Sequence, residues 1–190
     1  MASSLPIVEK FHSLQGEGAF TGRSAFFIRL ASCKVGCSWC DTKNSWSSNM
    51  HQHETIQKIS EYAVNSRYKG AAFVVITGGE PLHHNLDFLC QEIRRLSSKD
   101  KNQPMPIHLE TSGVDQMSGQ PNWITLSPKR HAPPRKEILE TCHELKVIVH
   151  EQKDIFFAEE MAKKATTSTQ KLHSAQSSAS SINIKPLLFL

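Results

Sequence analysis

The sequence predicts an α/β protein in which a parallel sheet curves into a partial, modified, TIM-like (β/α)6 barrel. Short runs rich in β-branched and aromatic residues alternate with amphipathic or polar segments, which is typical of repeated strand–helix units. The main strand candidates are largely apolar, as expected where helices cover a parallel sheet on its faces. They number about six, fewer than the eight of a complete barrel, so the barrel is expected to be incomplete.

The strand candidates are spread along the whole chain. The first, 25–30, reads Ala-Phe-Phe-Ile-Arg-Leu and runs directly into a loop that contains three cysteines. The second, 71–76, is continuously apolar and is interrupted by Gly78 and Gly79. Further candidates are 107–111, 123–126, 145–149 and the strand-like segment 182–190. Polar or glycine-rich residues follow several of these strands, so the loops at their carboxyl ends are predicted to carry the site.

Helices are predicted between the strands. Apolar residues at a spacing of three or four predict helices over 54–68, which acidic Glu54 opens, and over 86–96. Two more are predicted over 136–144, after a pair of prolines, and over 155–164. Cys90 and Cys142 fall in these helices and are interpreted as small buried residues.

Size and composition indicate one domain over residues 1–190. The net charge of +4, without a concentrated Lys/Arg run, gives no indication of direct nucleic-acid binding. The apolar runs are strand-sized and no secretory signal is recognised, so we expect neither a membrane span nor export. Five cysteines, three of them in one cluster, do not resemble a disulfide framework. A reducing cytoplasm is therefore the predicted location.

Three cysteines, Cys33, Cys37 and Cys40, lie within eight residues after the first strand candidate. Thiolates this close can hold an iron–sulfur cluster, and four cysteines usually complete a four-iron cluster. Three would leave one iron open to bind a small molecule. The alternative is a tetrahedral zinc site, which needs a fourth ligand. Asp41 and His51 are the nearest candidates, but they do not fall at a recognised spacing, and both interpretations stay open at this point.

Two motifs taken together resemble the radical S-adenosylmethionine enzymes. The Cys-x3-Cys-x2-Cys loop follows the first barrel strand, and Thr77-Gly-Gly-Glu-Pro81 ends the next one. Further segments resemble the 7-carboxy-7-deazaguanine synthase family within that superfamily, and the resemblance covers about 7–149. These segments are 11–18, Gly22, 27–30, Trp39-Cys-Asp-Thr42, Glu110-Thr-Ser-Gly113 and Ser127-Pro-Lys129.

The resemblance implies a partial barrel of the radical S-adenosylmethionine type and a lyase reaction. It implies that 6-carboxy-5,6,7,8-tetrahydropterin is converted to 7-carboxy-7-deazaguanine with loss of ammonia. This reaction belongs to the biosynthesis of queuosine, a tRNA modification, and of related 7-deazapurines. The implied cofactors are a 4Fe–4S cluster, S-adenosylmethionine and Mg²⁺. The implied partners are the pterin substrate, an external flavodoxin-like one-electron reductant and a second copy in a homodimer.

The resemblance also assigns residues to the site. Glu17 and Arg29 would position the substrate, whose carboxylate suits the guanidinium fork of Arg29. The substrate pocket as a whole would comprise Leu14, Gln15, Gly16, Glu17, Arg29 and Thr77. The contacts to S-adenosylmethionine would come from Trp39, Cys40, Asp41, Gly78, Gly79, Glu80, Ser112, Ser127, Pro128 and Lys129. The metal ligands would be Cys33, Cys37 and Cys40 for the cluster and Thr42 for Mg²⁺.

Two alternatives to this activity remain open from the sequence. A glycyl-radical enzyme activase also uses a short radical barrel, and a zinc-stabilised binding module would have no turnover. The C-terminal part departs from the family pattern. Residues 166–181, rich in Ser, Thr and Ala, are predicted to be a flexible insertion. The last strand, which ends at Phe189-Leu190, is expected to be truncated, and this leaves the activity of the chain uncertain.

Overall fold

The structure is a computed structural model that describes residues 4–98, 103–175 and 187–189. Within these residues, eight strands form one sheet in the order β3-β1-β2-β4-β5-β6-β7-β8. The strands are Ser4–Leu14 (β1), Ser24–Leu30 (β2), Gln52–Thr55 (β3), Phe73–Gly78 (β4), Ile107–Thr111 (β5), Trp123–Leu126 (β6), Glu144–Lys146 (β7) and Leu187–Phe189 (β8). The helices are Ile56–Asn65 (α1), Asp87–Ser97 (α2), Lys136–Thr141 (α3) and Gln152–Ala175 (α4).

The strands from β2 through β4, β5, β6 and β7 to β8 are all parallel. They correspond to the six strand candidates read from the sequence, and the α/β partial barrel is confirmed. The sheet is extended at one edge, where β1 pairs antiparallel with β2 and β3 pairs antiparallel with β1. These two strands were not predicted. The second half of β1 and most of β3 are exposed or half-buried, so their sequences lack the apolar runs that mark the parallel strands.

Three of the predicted helices have wrong boundaries. Helix α1 begins at Ile56 because Glu54 and Thr55 belong to β3, and the Thr55 hydroxyl caps the helix by accepting from the Lys58 amide at 3.3 Å. Its α-helical part ends at Asn65 and continues as a 3₁₀ turn to Lys69. Helix α3 ends at Thr141 and β7 begins at Glu144, because the backbone of His143 already bonds to Ile124 in β6.

The third of these helices is α4, which was predicted over 155–164 and extends instead over Gln152–Ala175. The backbone of residues 166–175 is therefore helical, although this part was assigned to an insertion. Residues 176–181 lie outside the described residues, so the flexibility of the insertion stays a prediction. Across the described helices, none combines the length and the apolar character needed to cross a bilayer.

Because side chains alternate along the strands, the outer and inner faces of the sheet differ in their environment. On the outer face, Ile28, Val74, Ile76 and Leu109 are almost completely buried in a core that includes residues of all four helices. The inner face is apolar only near the amino ends of the strands, where Phe27, Val75 and their neighbours form a second cluster. Towards the carboxyl ends the inner face becomes polar. The large core therefore holds the sheet, and the inner polar end remains available for a site.

Aromatic rings close the amino end of the barrel. His108 is stacked on Phe73 at 4.1 Å between ring centroids, and Phe20 meets His108 edge-on at 4.5 Å. Trp123 also meets Phe20 edge-on, at 4.9 Å between ring centroids. Burial, followed by the nearby charges of Arg23 and His143, lowers the pKa of His108 to about 4. The imidazole is therefore neutral in the folded protein at physiological pH.

The neutral His108 makes the stability of the fold depend on pH. Below its usual pKa of 6.5 the unfolded chain binds a proton that the folded chain excludes until about pH 4. The free energy of unfolding should therefore fall by about 2 kcal/mol through this group between about pH 7.5 and about pH 5. We predict that His108→Phe removes this part of the fall, as measured by urea unfolding at both pH values.

An exposed histidine of the same sheet gives the matched control. His53→Phe in β3 changes an exposed ring and should keep the wild-type dependence on pH. If His108→Phe and wild type lost equal stability on acidification, the buried neutral state of His108 would be contradicted.

Candidate active site

A cavity of about 530 Å³ lies at the carboxyl ends of the parallel strands. Every residue assigned to the site from the sequence lines it, except Pro128, which lies between two lining residues. The assigned residues brought together here are Leu14, Gln15, Gly16, Glu17, Arg29, Cys33, Cys37, Trp39, Cys40, Asp41, Thr42, Thr77, Gly78, Gly79, Glu80, Ser112, Ser127 and Lys129. The lining residues that were not assigned are Phe11, Phe27, Val35, Trp46, Glu110, Thr111, Thr125, Lys146, Ile148 and His150.

The three clustered cysteines face this cavity from the loop after β2. Cys37 is buried and the other two are half-buried. Burial is the main cause that raises the pKa of Cys33 and of Cys37, and the charges of neighbouring cysteines raise it further. All three cysteines line the same cavity. Because metal ligands must be thiolates, loading the loop with iron would release protons.

The donor set fits an iron–sulfur cluster better than a single ion. Three thiols from one loop suit such a cluster, which spreads its cysteine ligands over several iron atoms. A zinc site instead needs its ligands around one centre. Among the described residues, no three or more His, Cys, Asp or Glu side chains are grouped in that way.

The cysteine loop is held by the backbone of its neighbours. The amides of Ser32 and Cys33 donate to the carbonyls of Ser45 and Trp46 at 2.8 and 3.1 Å. The amides of Gly79 and Glu80 donate to the carbonyls of Leu30 and Ser32 at 2.8 and 2.9 Å. The loop is therefore fixed both by the segment that follows it and by the end of β4.

Gly78 and Gly79 are required by this close approach of two backbones. A Cβ atom on either glycine would lie well inside van der Waals contact of the Leu30 or Ser32 backbone. Gly78 also has φ +130, which L-residues with side chains rarely adopt. The sequence interpretation explained these glycines by the approach of a ligand. The structure adds a second cause, since they seat the cysteine loop against β4.

Two histidines brace the loop from other parts of the chain. The Lys34 amide donates to Nε2 of His83 at 2.9 Å, and the other ring nitrogen of His83 pairs with Asp115. Because Nε2 accepts, Nδ1 carries the hydrogen and donates to the carboxylate. His131 Nε2 donates to the Val35 carbonyl at 3.0 Å. No pattern in the sequence indicated these contacts, because they depend on tertiary packing.

Glu80 holds the neighbouring loop in place. Its carboxylate is buried and accepts from the Leu82 amide at 3.0 Å, from the Ser112 amide at 2.8 Å and from the Ser112 hydroxyl. It also accepts from the Thr111 hydroxyl at 2.5 Å. Glu80 was assigned to contact S-adenosylmethionine. Its carboxylate oxygens are engaged by the protein, so the structure gives the side chain a positioning role for Ser112.

Glu110 organises the other half of the cavity. The Thr77 hydroxyl donates to one of its oxygens at 2.8 Å, and Gln15 Nε2 donates to the other at 3.0 Å. The carboxylate thus joins β4, β5 and the loop after β1. Glu110 was part of a recognised motif but was not assigned to the site. The feature of the sequence that could have indicated it is an acidic residue near the carboxyl end of a strand candidate.

Of the cations that line the cavity, Arg29 and Lys146 each pair with a glutamate. Arg29 Nε donates to Glu9 at 2.7 Å, and Lys146 pairs with Glu17. Lys146 was not assigned to the site. It could have been found from the sequence, because it is a lysine between two apolar residues of a strand candidate. An anionic ligand could therefore bind these two cations in the cavity by replacing their glutamate partners.

The loop that carries Glu17 is attached to β7. Glu144 is buried, and its carboxylate accepts from the Thr125 hydroxyl at 2.7 Å and from the Ala19 amide at 3.0 Å. A Cβ on Gly18 would collide with this carboxylate. These contacts fix the segment that closes one side of the cavity.

The remaining polar groups lie beside the cysteines. Lys129 Nζ donates to the Ser127 hydroxyl at 2.7 Å, and burial lowers the pKa of Lys129 while the charge of Cys37 opposes this effect. Trp46 Nε1 donates to Cys40 Sγ at 3.4 Å, and the Thr42 hydroxyl lies 3.7 Å from the same sulfur. Trp46 was missed because its indole reaches Cys40 only through the fold of the loop.

Fold and site together define a 4Fe–4S protein built on a partial barrel of the radical S-adenosylmethionine type. Residues 14–173 match the family described as 4Fe-4S single cluster domain. A 7-carboxy-7-deazaguanine synthase from Prochlorococcus marinus is 58% identical over 170 residues, covering 90% of this chain and 76% of its own. One from Synechocystis is 43% identical over 187 residues, covering 98% and 85%. The crystal structure of QueE from Escherichia coli matches with a TM-score of 0.70 and 29% identity, covering 97% of this chain and 81% of that one.

The chain belongs to the 7-carboxy-7-deazaguanine synthase family, a family of lyases. The resemblance read from the motifs is thereby confirmed. The comparisons favour neither the glycyl-radical activase nor the zinc-stabilised module. The 4Fe–4S family match also favours an iron–sulfur cluster over zinc.

The four hydrogen bonds to Glu80 predict a specific loss of stability. In Glu80→Gln an amide group replaces one acceptor oxygen and faces donors of the Thr111-Ser112 turn. We predict that the free energy of unfolding of the cluster-free protein falls by about 1–3 kcal/mol, the usual cost of a buried unpaired donor. Chemical denaturation followed by circular dichroism measures this change.

Glu137→Gln is the matched control, because the Glu137 carboxylate is half-exposed and pairs with Arg135 on the surface. Its effect should stay within about 0.5 kcal/mol. Equal, small effects of the two substitutions would contradict the positioning role of Glu80.

Proposed function

We propose that this chain converts 6-carboxy-5,6,7,8-tetrahydropterin to 7-carboxy-7-deazaguanine with loss of ammonia, on the route to queuosine and other 7-deazapurines. The names of relatives at 58% and 43% identity support the product. The observation that carries the proposal is the composition of this cavity. It combines three cysteine thiols at one side with cations, hydroxyls and a shared carboxylate at the other.

In this proposal Cys33, Cys37 and Cys40 ligate three irons of a 4Fe–4S cluster. When bound, the reduced cluster and S-adenosylmethionine supply the radical chemistry that starts the reaction. The chain binds and orients the cofactor with residues around the cysteine loop. Besides Cys40, the proposed contacts are Trp39, Asp41, Gly78, Gly79, Glu80, Ser112, Ser127, Pro128 and Lys129. Glu80 contributes through its backbone and by holding Ser112, since its carboxylate is engaged.

The substrate occupies the half of the cavity near Glu110. The amide of Gln15 and the hydroxyl of Thr77 already meet at this carboxylate, which can accept from the N–H groups of a pterin ring. Leu14 and Gly16 lie beside Gln15 and line the same wall. These residues fix the orientation of the ring by hydrogen bonds to its polar edge.

Arg29 holds the carboxylate of the substrate, and Glu17 positions the ring near Lys146. In the structure Glu9 and Glu17 pair with the two cations. An anionic substrate would take over part of these pairings, because the guanidinium of Arg29 has further N–H donors besides Nε. Until the substrate binds, the two glutamates balance the positive charges of Arg29 and Lys146.

Thr42 is the proposed ligand for Mg²⁺. Its hydroxyl oxygen lines the cavity next to Cys40, and hard Mg²⁺ prefers oxygen ligands and keeps several that do not come from the protein. The substrate carboxylate would supply some of them. A hydroxyl that binds the ion through oxygen can still donate its hydrogen to the Cys40 thiolate.

The partners remain proposals as well. The electron would come from an external flavodoxin-like carrier, and the chain would act as a homodimer in the cytoplasm. Direct binding to nucleic acid or to a membrane is not proposed.

Turnover under anaerobic conditions tests the proposal. The protein is reconstituted with iron and sulfide and incubated with S-adenosylmethionine, dithionite, Mg²⁺ and the carboxypterin. We predict 7-carboxy-7-deazaguanine and ammonia, detected by mass spectrometry and a coupled ammonia assay. Cys37→Ser should reduce product formation by more than about 100-fold, since even outer-sphere changes at metal sites can cost that much.

Cys142→Ser gives the matched control. This thiol is buried in the helical layer and donates to the Leu139 carbonyl at 3.3 Å, a bond that a serine hydroxyl can replace, so turnover should continue. A fully loaded wild-type cluster without deazaguanine product would reject the proposed function.

A further inference from the structure

We propose that Trp46 is a positioning residue that raises the reduction potential of the cluster by donating a hydrogen bond to Cys40. The inference rests on the proposed function, in which Cys40 ligates an iron. Trp46 Nε1 lies 3.4 Å from Cys40 Sγ, and the indole lines the cavity beside this cysteine. The distance is within the range of a hydrogen bond to sulfur.

The indole is held in this position by the backbone of its own segment. Lys43–Trp46 is a 3₁₀ turn, in which both the amide and the hydroxyl of Ser45 donate to the Thr42 carbonyl at 2.8 and 2.7 Å. Ser45 is completely buried. The Trp46 carbonyl in turn accepts from the Cys33 amide at 3.1 Å. The turn therefore returns the chain to the start of the cysteine loop, and the hydrogen bond to Cys33 fixes the backbone of Trp46 there.

A hydrogen-bond donor directed at Cys40 changes the free energy of the reduced cluster relative to that of the oxidised cluster. Reduction puts one more negative charge on the cluster and its thiolates, so an N–H group directed at a ligand sulfur stabilises the reduced state more than the oxidised one. Hydrogen bonds to the sulfurs are among the features that set cluster potentials. No bond breaks in this step, since one electron enters from the external reductant and the hydrogen stays on the indole nitrogen.

Tryptophan suits this role because its indole is a donor only and does not titrate in the physiological range. The Thr42 hydroxyl, 3.7 Å from the same sulfur, can act as donor or acceptor and is the proposed ligand of Mg²⁺. Trp46 therefore remains a hydrogen-bond donor to Cys40 when Mg²⁺ and the substrate bind, whereas the role of the Thr42 hydroxyl can change.

Potentiometric titration of the reconstituted cluster, without S-adenosylmethionine, tests the inference. Trp46→Phe keeps an aromatic ring and removes the donor. We expect the equilibrium constant for one-electron reduction to fall about tenfold, equivalent to a potential about 59 mV more negative. Trp39→Phe is the control, because it changes an indole of the same loop that packs on His131 and His150 at 5.6 and 5.9 Å between centroids. An equal potential in Trp46→Phe and wild type, or an equal shift in both variants, would overturn the inference.

A second measurement is decided on the wild-type protein and so does not depend on the stability of a variant. In wild-type protein labelled with ¹⁵N only at the indole nitrogen of tryptophan, electron–nuclear double resonance of the reduced cluster should show a weak ¹⁵N coupling, and Trp39→Phe serves only to assign it to Trp46. Its absence in wild type would overturn the inference even where Trp46→Phe fails to assemble a cluster. A wild-type chain that assembles no cluster would instead contradict the proposed function, and with it the ligand on which Trp46 acts.

Discussion

The close approach of two backbones, at the ends of β2 and β4, is the constraint on which the site depends. Gly78 and Gly79 have no side chains, so Leu30 and Ser32 can accept from the amides of Gly79 and Glu80. This contact places the start of the cysteine loop directly beside the turn that carries Glu80. Through Glu80 the same contact fixes Ser112 in the loop that follows β5. One close approach thus sets the relative positions of three loops around the proposed cofactor.

The barrel supports this arrangement by dividing its interior into an apolar end and a polar end. Phe73 and His108 close the amino end, where burial keeps His108 neutral. Thr77 lies four residues after Phe73 and Glu110 lies two residues after His108 on the same strands, and the two are joined by a hydrogen bond in the cavity. Because side chains alternate along a strand, the same inward face provides both the packing that stabilises the barrel and the groups that line the site. The outer face is left free to pack against the helices.

The parallel part of the fold could be predicted from the sequence, since strands covered on both faces read as continuous apolar runs. The antiparallel edge could not, because β1 and β3 are partly exposed and lack such runs. Site residues within motifs were predicted because the motifs fix local spacing. Trp46 and His83 were missed because their contacts join residues that only the folded chain brings together. Lys146 shows an intermediate case, since its charge within an apolar strand was visible but its partner Glu17 was not.

We propose that three cysteines hold a four-iron cluster and leave one iron open towards the cavity. Electron paramagnetic resonance of the reduced, reconstituted protein, recorded with and without S-adenosylmethionine, tests this claim most directly. With an open iron, adding S-adenosylmethionine should shift the g values, and substituting ¹⁷O in its carboxylate should broaden or split the signal. A cluster whose spectrum is identical with and without S-adenosylmethionine would contradict the claim.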